Sequence, residues 1–302
     1  MIKDKEISYE ELINELNEIS EKHKIVEVSY IGSSLLGKAI PIISIGDKTA
    51  QKSVLYVSTH HAMENVCTSV ILKFIKEYVK SYERCGQVCQ INTCCLYKMR
   101  KILIVPMLNP DGVEYRLKGI LENNPIKDRV IAYNGGEDFK KWQSNARGVD
   151  LNHNYDANFD EYKVLERETN RAAGKTKYSG EYPESEPEVS ALCNFIRYHI
   201  DSLDAVLSLH TQGEEIYYST RGQFPKKSYH VAKILSKLSK YELSKPSDTA
   251  SYGGLLDWLI SKHNKPAFTI ECGKGENPLP SEQISKIYAD LRELLFTFPI
   301  LF

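Results

Sequence analysis

The chain reads as an α/β fold: a mixed, largely parallel, twisted central sheet with helices on both faces. Two observations predict it. Short apolar runs rich in β-branched residues, such as SVLYVS (53–58), KILIVPML (101–108), DAVLSLH (204–210) and AFTIE (267–271), stand between segments whose apolar residues recur at helical spacing. Strands that alternate with helices in this way are satisfied by a partly parallel sheet covered on both sides. No internal repeat, low-complexity linker or change of composition interrupts the 302 residues, so a single domain is expected, with a helix in residues 1–25 packed on it.

The elements follow in order. Ser8 and Glu11 form a capping-box signature, and Tyr9, Leu12, Ile13, Leu16 and Ile19 behind them trace one face of an amphipathic helix. IVEVSYI and AIPIISI read as strands with GSSLLGK as the turn between them, and SVLYVS as a third strand. Val70, Ile71, Phe74, Ile75 and Tyr78 give the next helical stripe, and KILIVPML a buried strand. From about 109 to 183 the chain is rich in Gly, Asn, Asp and charge, and long loops with little regular structure are expected. A helix opens near Glu186, with Pro187 suited to its first turn. DAVLSLH and AFTIE are strands, and helices are expected over about 229–239, 255–263 and 281–296.

Composition excludes several classes of function. With 42% hydrophobic residues, 26% charged residues and a formal net charge of −1, the chain has no field that would suit nucleic acid or an anionic membrane. The N-terminus MIKDKEISYEELINELNEI is charged and amphipathic, unlike a secretory signal, and no apolar run is long enough to span a bilayer, so a cytoplasmic location is expected. Seven cysteines, an odd number, argue for reduced thiols. Four of them lie in CGQVCQINTCC (85–95), whose spacing lacks a second C-x-x-C pair or a nearby histidine, so a variable loop is favoured over a second metal site.

The sequence STHHAMENV (58–66) carries two adjacent histidines and a glutamate three residues after the second. His-x-x-Glu can turn two metal ligands to one side, but taken alone it is a weak signal, and a helix-capping turn is the plainer reading. His61 and Glu64 nonetheless follow a strand, His210 ends a second and Glu271 a third. In open α/β sheets such strand ends face the ligand crevice.

Five further segments accompany these residues in order: MLNPDGVEYR, NARGVDLNHNYD, SEPEV, LSLHTQGEEIYY and FTIECGKGENPLP. With them the chain resembles the zinc carboxypeptidases of the carboxypeptidase A type from about Ile31 to its C-terminus, and among these the bacterial γ-D-glutamyl-diamino acid peptidases. The resemblance implies a single zinc-carboxypeptidase-like domain and one zinc ion held by His61, Glu64 and His210. Glu271 is then the general base for a water that attacks a peptide carbonyl. His60, one residue before the motif, is expected to be a packed or supporting histidine pointing away from His61.

The departures from the family carry as much information. Asn152 and His153 stand where an Asn-Arg pair grips a C-terminal carboxylate, and an imidazole cannot reproduce a guanidinium fork. Gln143, after Trp142, replaces the arginine that stabilises the oxyanion, with Arg147 as a candidate substitute that could equally be a structural ion pair. The family's mobile tyrosine aligns with Thr249, and Tyr252 is near enough to serve instead. Leu256, apolar, stands where some relatives carry a charge that selects basic side chains. Glu214, in the segment after His210, reads equally as pocket wall or as solvent-exposed.

These departures suit a muropeptide, whose γ-linked D-glutamate and diamino acid (diaminopimelate or lysine) put carboxylates in unusual places. Asn152, His153, Gln143 and Arg147 are the candidates for reading it. The expected activity is hydrolysis between γ-D-Glu and the diamino acid. An ordinary metallocarboxypeptidase, a deacylase of N-acyl amino acids with a related fold, and a catalytically silent binder of peptide or zinc are the alternatives.

Overall fold

A computed structural model describes residues 4–245 and 252–302. Its first half runs α1 (Tyr9–Lys22), β1 (Val26–Ser33), β2 (Ala39–Ile45), β3 (Ser53–Ser58), α2 (Val66–Tyr82), β4 (Gln87–Val88), β5 (Ile91–Asn92), α3 (Thr93–Met99), β6 (Lys101–Val105), α4 (Pro110–Lys118) and α5 (Lys127–Asn134). Its second half runs α6 (Phe159–Glu168), α7 (Pro187–Tyr198), β7 (Leu203–His210), β8 (Glu215–Tyr217), α8 (Ser228–Ser239), β9 (Glu242–Leu243), α9 (Leu255–His263), β10 (Ala267–Glu271) and α10 (Ile284–Thr297).

Eight strands make one sheet in the order β1-β2-β6-β3-β7-β10-β8-β9. The central four, β6, β3, β7 and β10, are parallel, while β1, β2 and β8 pair antiparallel to their inward neighbours. Side-chain alternation divides the core between the two faces. Val54 and Tyr56 of β3, with Ile102 and Ile104 of β6, join a cluster with residues of α1, α2, α8 and α10. Leu55, Val57, Leu103 and Val105 point the other way and pack with α7 and α9. Every residue of β3 is buried, as its unbroken apolar run requires of a strand covered on both faces.

The N-terminal helix shows why local and tertiary signals agree. Ser8 accepts from the Glu11 amide while the Glu11 side chain accepts from the Ser8 amide, and Leu12, Leu16 and Ile19 are buried.

Two stretches differ from the sequence-based expectation. Residues 109–183 hold α4, α5 and α6, not only loops. Their apolar stripes are thin: α5 buries only Val130, and α6 buries a glutamate, Glu166, alongside Phe159 and Tyr162. The cysteine-rich 85–95 segment is not a loop either. It forms the β4–β5 hairpin and opens α3, where Asn92 caps the helix by accepting from the Cys95 amide. All seven cysteines are free.

The strand order sets where a ligand can bind. From β3 the chain moves to β6 on one side, then crosses to β7 on the other. The carboxyl ends of β3 and β7 therefore flank a topological switch point, the usual crevice of an open α/β sheet. Among the described residues, no helix is long and apolar enough to cross a membrane.

Candidate active site

Three side chains converge at this switch point. His61 and Glu64 lie on the short turn after β3, and His210 is the last residue of β7. His61 Nδ1 is 3.0 Å from Glu64 Oε1, His210 Nδ1 is 3.0 Å from Glu64 Oε2, and the two Nδ1 atoms are 3.3 Å apart. An ion in tetrahedral coordination with bonds of about 2.0–2.1 Å holds its ligand atoms about 3.3 Å from one another. The spacing and the chemistry of this donor set both fit zinc. Among the described residues it is the one group of His, Cys, Asp or Glu side chains assembled closely enough to hold a metal ion.

A carboxylate behind His61 fixes which nitrogen is available. Asp150 Oδ1 lies 3.1 Å from His61 Nε2, and Asp150 Oδ2 accepts from Gln143 Nε2 at 2.6 Å and from the Lys177 amide at 3.1 Å. Burial works against the charge on Asp150, but His61 and His153 hold its pKa well below the usual carboxylate range. An ionised Asp150 can only accept, so the His61 proton sits on Nε2 and the Nδ1 lone pair faces Glu64 and His210. The His61 Nδ1 lone pair facing the Glu64 carboxylate needs a positive charge between them. In the metal-free protein that charge is a proton. Burial disfavours it on His61, yet Glu64 and Asp150 raise the His61 pKa well above normal. Glu64 falls to about 2, with its burial outweighed by His61 and His210.

The second histidine is held differently. His210 stacks on His60 with ring centroids 5.2 Å apart, and its Nε2 finds no hydrogen-bond partner among the described residues. His60 is fully buried, kept neutral by that burial, and bonded through Nε2 to the Tyr155 hydroxyl at 2.8 Å. It supports the His210 ring and stands outside the three-atom cluster.

Asn109 braces this corner. It caps α4 by accepting from the Gly112 amide, and its Nδ2 donates to the carbonyls of His60 and Ser144. A Cβ at Gly112 would stand 2.3 Å from the Ser144 oxygen, so only glycine permits this approach. In the same motif Asp111, buried, accepts from Lys38 Nζ at 2.8 Å and from the Leu36 amide at 2.9 Å.

A pocket of about 130 Å³ opens beside the cluster, and Asn152, His153, Leu256 and Glu271 line it together with His61 and His210. Glu271 ends β10 in parallel register with His210, so both project from the α7–α9 face. Enclosure by protein, the Glu64 charge and Glu215 raise the Glu271 pKa well above the usual range, against an opposing pull from His61. Asn152 Oδ1 accepts from the Leu255 amide at 3.1 Å, which leaves its NH2 for a substrate. His153 stacks on Tyr162 at 4.2 Å and donates from Nδ1 to the Tyr252 carbonyl at 2.6 Å; burial lowers its pKa, so it presents a neutral ring.

The remaining candidates lie elsewhere. Gln143 does not line the pocket: its side chain holds Asp150, and its carbonyl accepts from the Ala62 amide at 2.9 Å. Arg147 forms a two-pronged ion pair with Glu186, at 2.8 and 2.9 Å, and also donates to the Ser185 carbonyl. Tyr252 contributes its backbone to His153, and its ring lies 6.3 Å from that of Tyr162. Glu214 pairs with Lys274 at 2.9 Å and with Lys286. Thr249 falls outside the described residues.

Sequence reasoning missed the roles of Asp150, Asp257, Tyr217 and Thr269, the last three of which line the pocket. Asp150 sits in the GVDLN segment and Asp257 closes the Gly-Gly-x-x-Asp pattern, so both had a signal. Thr269 had only strand alternation, and Tyr217, on the three-residue β8, had no signal.

The chain is similar to known proteins. The model of the zinc carboxypeptidase family matches residues 12–294. The γ-D-glutamyl-L-diamino acid endopeptidase 1 of Lysinibacillus sphaericus is 32% identical over 285 residues, covering 93% of this chain and 69% of the relative. Bovine carboxypeptidase B is 26% identical over 282 residues, covering 88% and 63%. Bovine thrombin-activatable fibrinolysis inhibitor, solved in complex with tick carboxypeptidase inhibitor, superposes with a TM-score of 0.76 at 21% identity over 98% of this chain and 97% of that one.

Proposed function

Because the chain belongs to the zinc carboxypeptidase family and is a zinc metallopeptidase, we propose that it hydrolyses peptidoglycan-derived peptides between γ-D-glutamate and the diamino acid that follows. The observation that carries this reading is the 32% identity, over 93% of the chain, to an endopeptidase named for that bond. Among the described residues the pocket lining holds no arginine or lysine, which supports it. Arg147 is engaged by Glu186, and the neutral His153 offers no fork for an ordinary C-terminal carboxylate.

In this reading His61, Glu64 and His210 hold the metal. Zinc there would polarise a peptide carbonyl, make a water acidic near neutral pH, and draw Glu271 back toward its ionised form by its charge. Asp150 keeps the His61 proton on Nε2, and Gln143 keeps Asp150 in place. Glu271 accepts a proton from the attacking water and returns it to the departing amine. Asn152 donates its NH2 to the substrate, and His153 accepts through Nε2.

Digestion of L-Ala-γ-D-Glu-diaminopimelate by zinc-loaded protein, with Glu271→Gln protein alongside and products identified by mass, tests the proposal. Release of L-Ala-D-Glu by the unaltered protein alone is expected. Turnover of a blocked dipeptide with no cleavage of the γ-linked peptide would mean that the protein is an ordinary carboxypeptidase.

A further inference from the structure

The cysteine-rich segment 85–95 takes no part in the hydrolysis, and the fold sorts its four thiols. Cys89 lies beside Arg292, whose Nη1 donates to its Sγ at 3.4 Å. Cys94, on the first turn of α3, donates to Cys85 Sγ at 2.8 Å and lies 3.4 Å from the Tyr82 carbonyl. Among the described residues no third His, Cys, Asp or Glu side chain joins Cys85 and Cys94 closely enough to make a metal site. The two are a thiol pair.

The backbone sets these sulfurs against each other. Cys85 follows α2 with φ +44°, a left-handed conformation that residues with a side chain rarely adopt, and its amide donates to the Tyr82 carbonyl at 2.9 Å. Gly86, next to Cys85, donates to the Ser81 carbonyl at 2.9 Å and accepts at its own carbonyl from the amide of Thr93, next to Cys94, at 3.2 Å. Between them the β4–β5 hairpin pairs Gln87 with Asn92 and Val88 with Ile91. Asn92 caps α3 and so fixes where Cys94 stands. A disulfide has a length of about 2.05 Å, so closing the 2.8 Å contact takes a shift of less than about an ångström and leaves the hairpin in place. Cys85 is exposed and Cys94 half-buried, so an oxidant in solution meets Cys85 first.

We infer that Cys85 and Cys94 are a modification site, a thiol pair that closes to a reversible disulfide on meeting a small disulfide oxidant. With glutathione disulfide, the Cys85 thiolate attacks one glutathione sulfur. A mixed disulfide forms, and the other glutathione leaves with the electron pair and takes up a proton. Cys94 gives its proton to solvent and attacks Cys85 Sγ, and the second glutathione leaves in the same way. Two protein thiols are oxidised and one glutathione disulfide is reduced to two glutathiones. The bridge ties the end of α2 to the start of α3 around the hairpin, and the inference stands independently of which peptide bond the protein cuts.

The test incubates the zinc-loaded full chain with glutathione disulfide, alkylates the remaining thiols and maps the tryptic peptide from Cys85 to Lys98, which carries all four cysteines. Cys85 and Cys94 should be joined, Cys89 and Cys95 alkylated, and two of the seven thiols lost until dithiothreitol restores them. Cys94→Ser should stop at a glutathione adduct on Cys85, and Cys95→Ser should still form the bridge. A glutathione adduct that persists in the unaltered protein, a bridge through Cys89 or Cys95, or alkylation of all four cysteines overturns the inference. If a variant does not fold, the map of the unaltered protein decides.

Discussion

Replacing Asp150 by Asn removes one charge and keeps the shape, which makes it a sharp test of how His61 is prepared. Asp150 now accepts on both oxygens, from His61 Nε2 and the Asn152 amide on Oδ1, and from Gln143 and the Lys177 amide on Oδ2. An asparagine has one oxygen for these donors. If that oxygen faces Gln143 and Lys177, the NH2 faces His61, Nε2 must accept, and the proton moves to Nδ1, the atom needed for a metal. If the oxygen faces His61, the NH2 meets two other donors in a fully buried site. Loss of such a supporting carboxylate typically weakens metal binding about 10- to 100-fold, which is about 1.4–2.8 kcal/mol. Competition with a chromogenic zinc chelator measures it directly, with circular dichroism confirming the fold. A zinc Kd within twofold of the unaltered protein would refute the tautomer argument.

Other expectations follow from buried charges. Glu188 is fully buried and its pKa rises to about 8, chiefly through burial and the Asp111 charge. In the folded metal-free protein it is protonated below that pH, whereas the unfolded chain ionises near 4.5, so stability falls as pH rises from about 4.5 to 8, by about 3 kcal/mol at pH 7. Glu188→Gln should flatten that slope in calorimetric scans between pH 5 and 8, and an unchanged slope would contradict it. Lys38→Met leaves Asp111 without its ion-pair partner and should cost about 2 kcal/mol in urea unfolding, discounted because Lys38 is partly exposed. Gly112→Ala forces a methyl against the Ser144 carbonyl and should lower stability by about 1–3 kcal/mol in the same assay.

How far the sequence revealed this molecule depended on burial and periodicity. SVLYVS, DAVLSLH and AFTIE are central strands covered on both faces, so their runs are mostly apolar and their ends locate His61, His210 and Glu271. The capping box at Ser8 was equally legible because its whole signal is local. α5 and α6 were not, since one buried valine or a buried Glu166 gives no helical stripe. The short strands β8 and β9 at one end of the sheet were likewise invisible at three and two residues. At the site, residue types announced metal ligation, but partners did not show. Gln143 had the position of an oxyanion donor and turned out to hold Asp150, and Arg147 had the charge of a substrate reader and turned out to be bound by Glu186. Asp257 was overlooked because its neighbour Leu256 drew the specificity argument, although both line the pocket.

The central claim concerns which bond is cut. The most direct measurement is kcat/KM of the zinc-loaded protein on L-Ala-γ-D-Glu-L-Lys against the isomer with an ordinary α-linked L-glutamate, L-Ala-L-Glu-L-Lys. Both present the same lysine to the pocket and differ only in the residue whose carbonyl is attacked. The account predicts cleavage of the γ-linked peptide with a preference of at least about tenfold, or 1.4 kcal/mol in transition-state binding. Equal rates, or preference for the α-linked isomer, would contradict it.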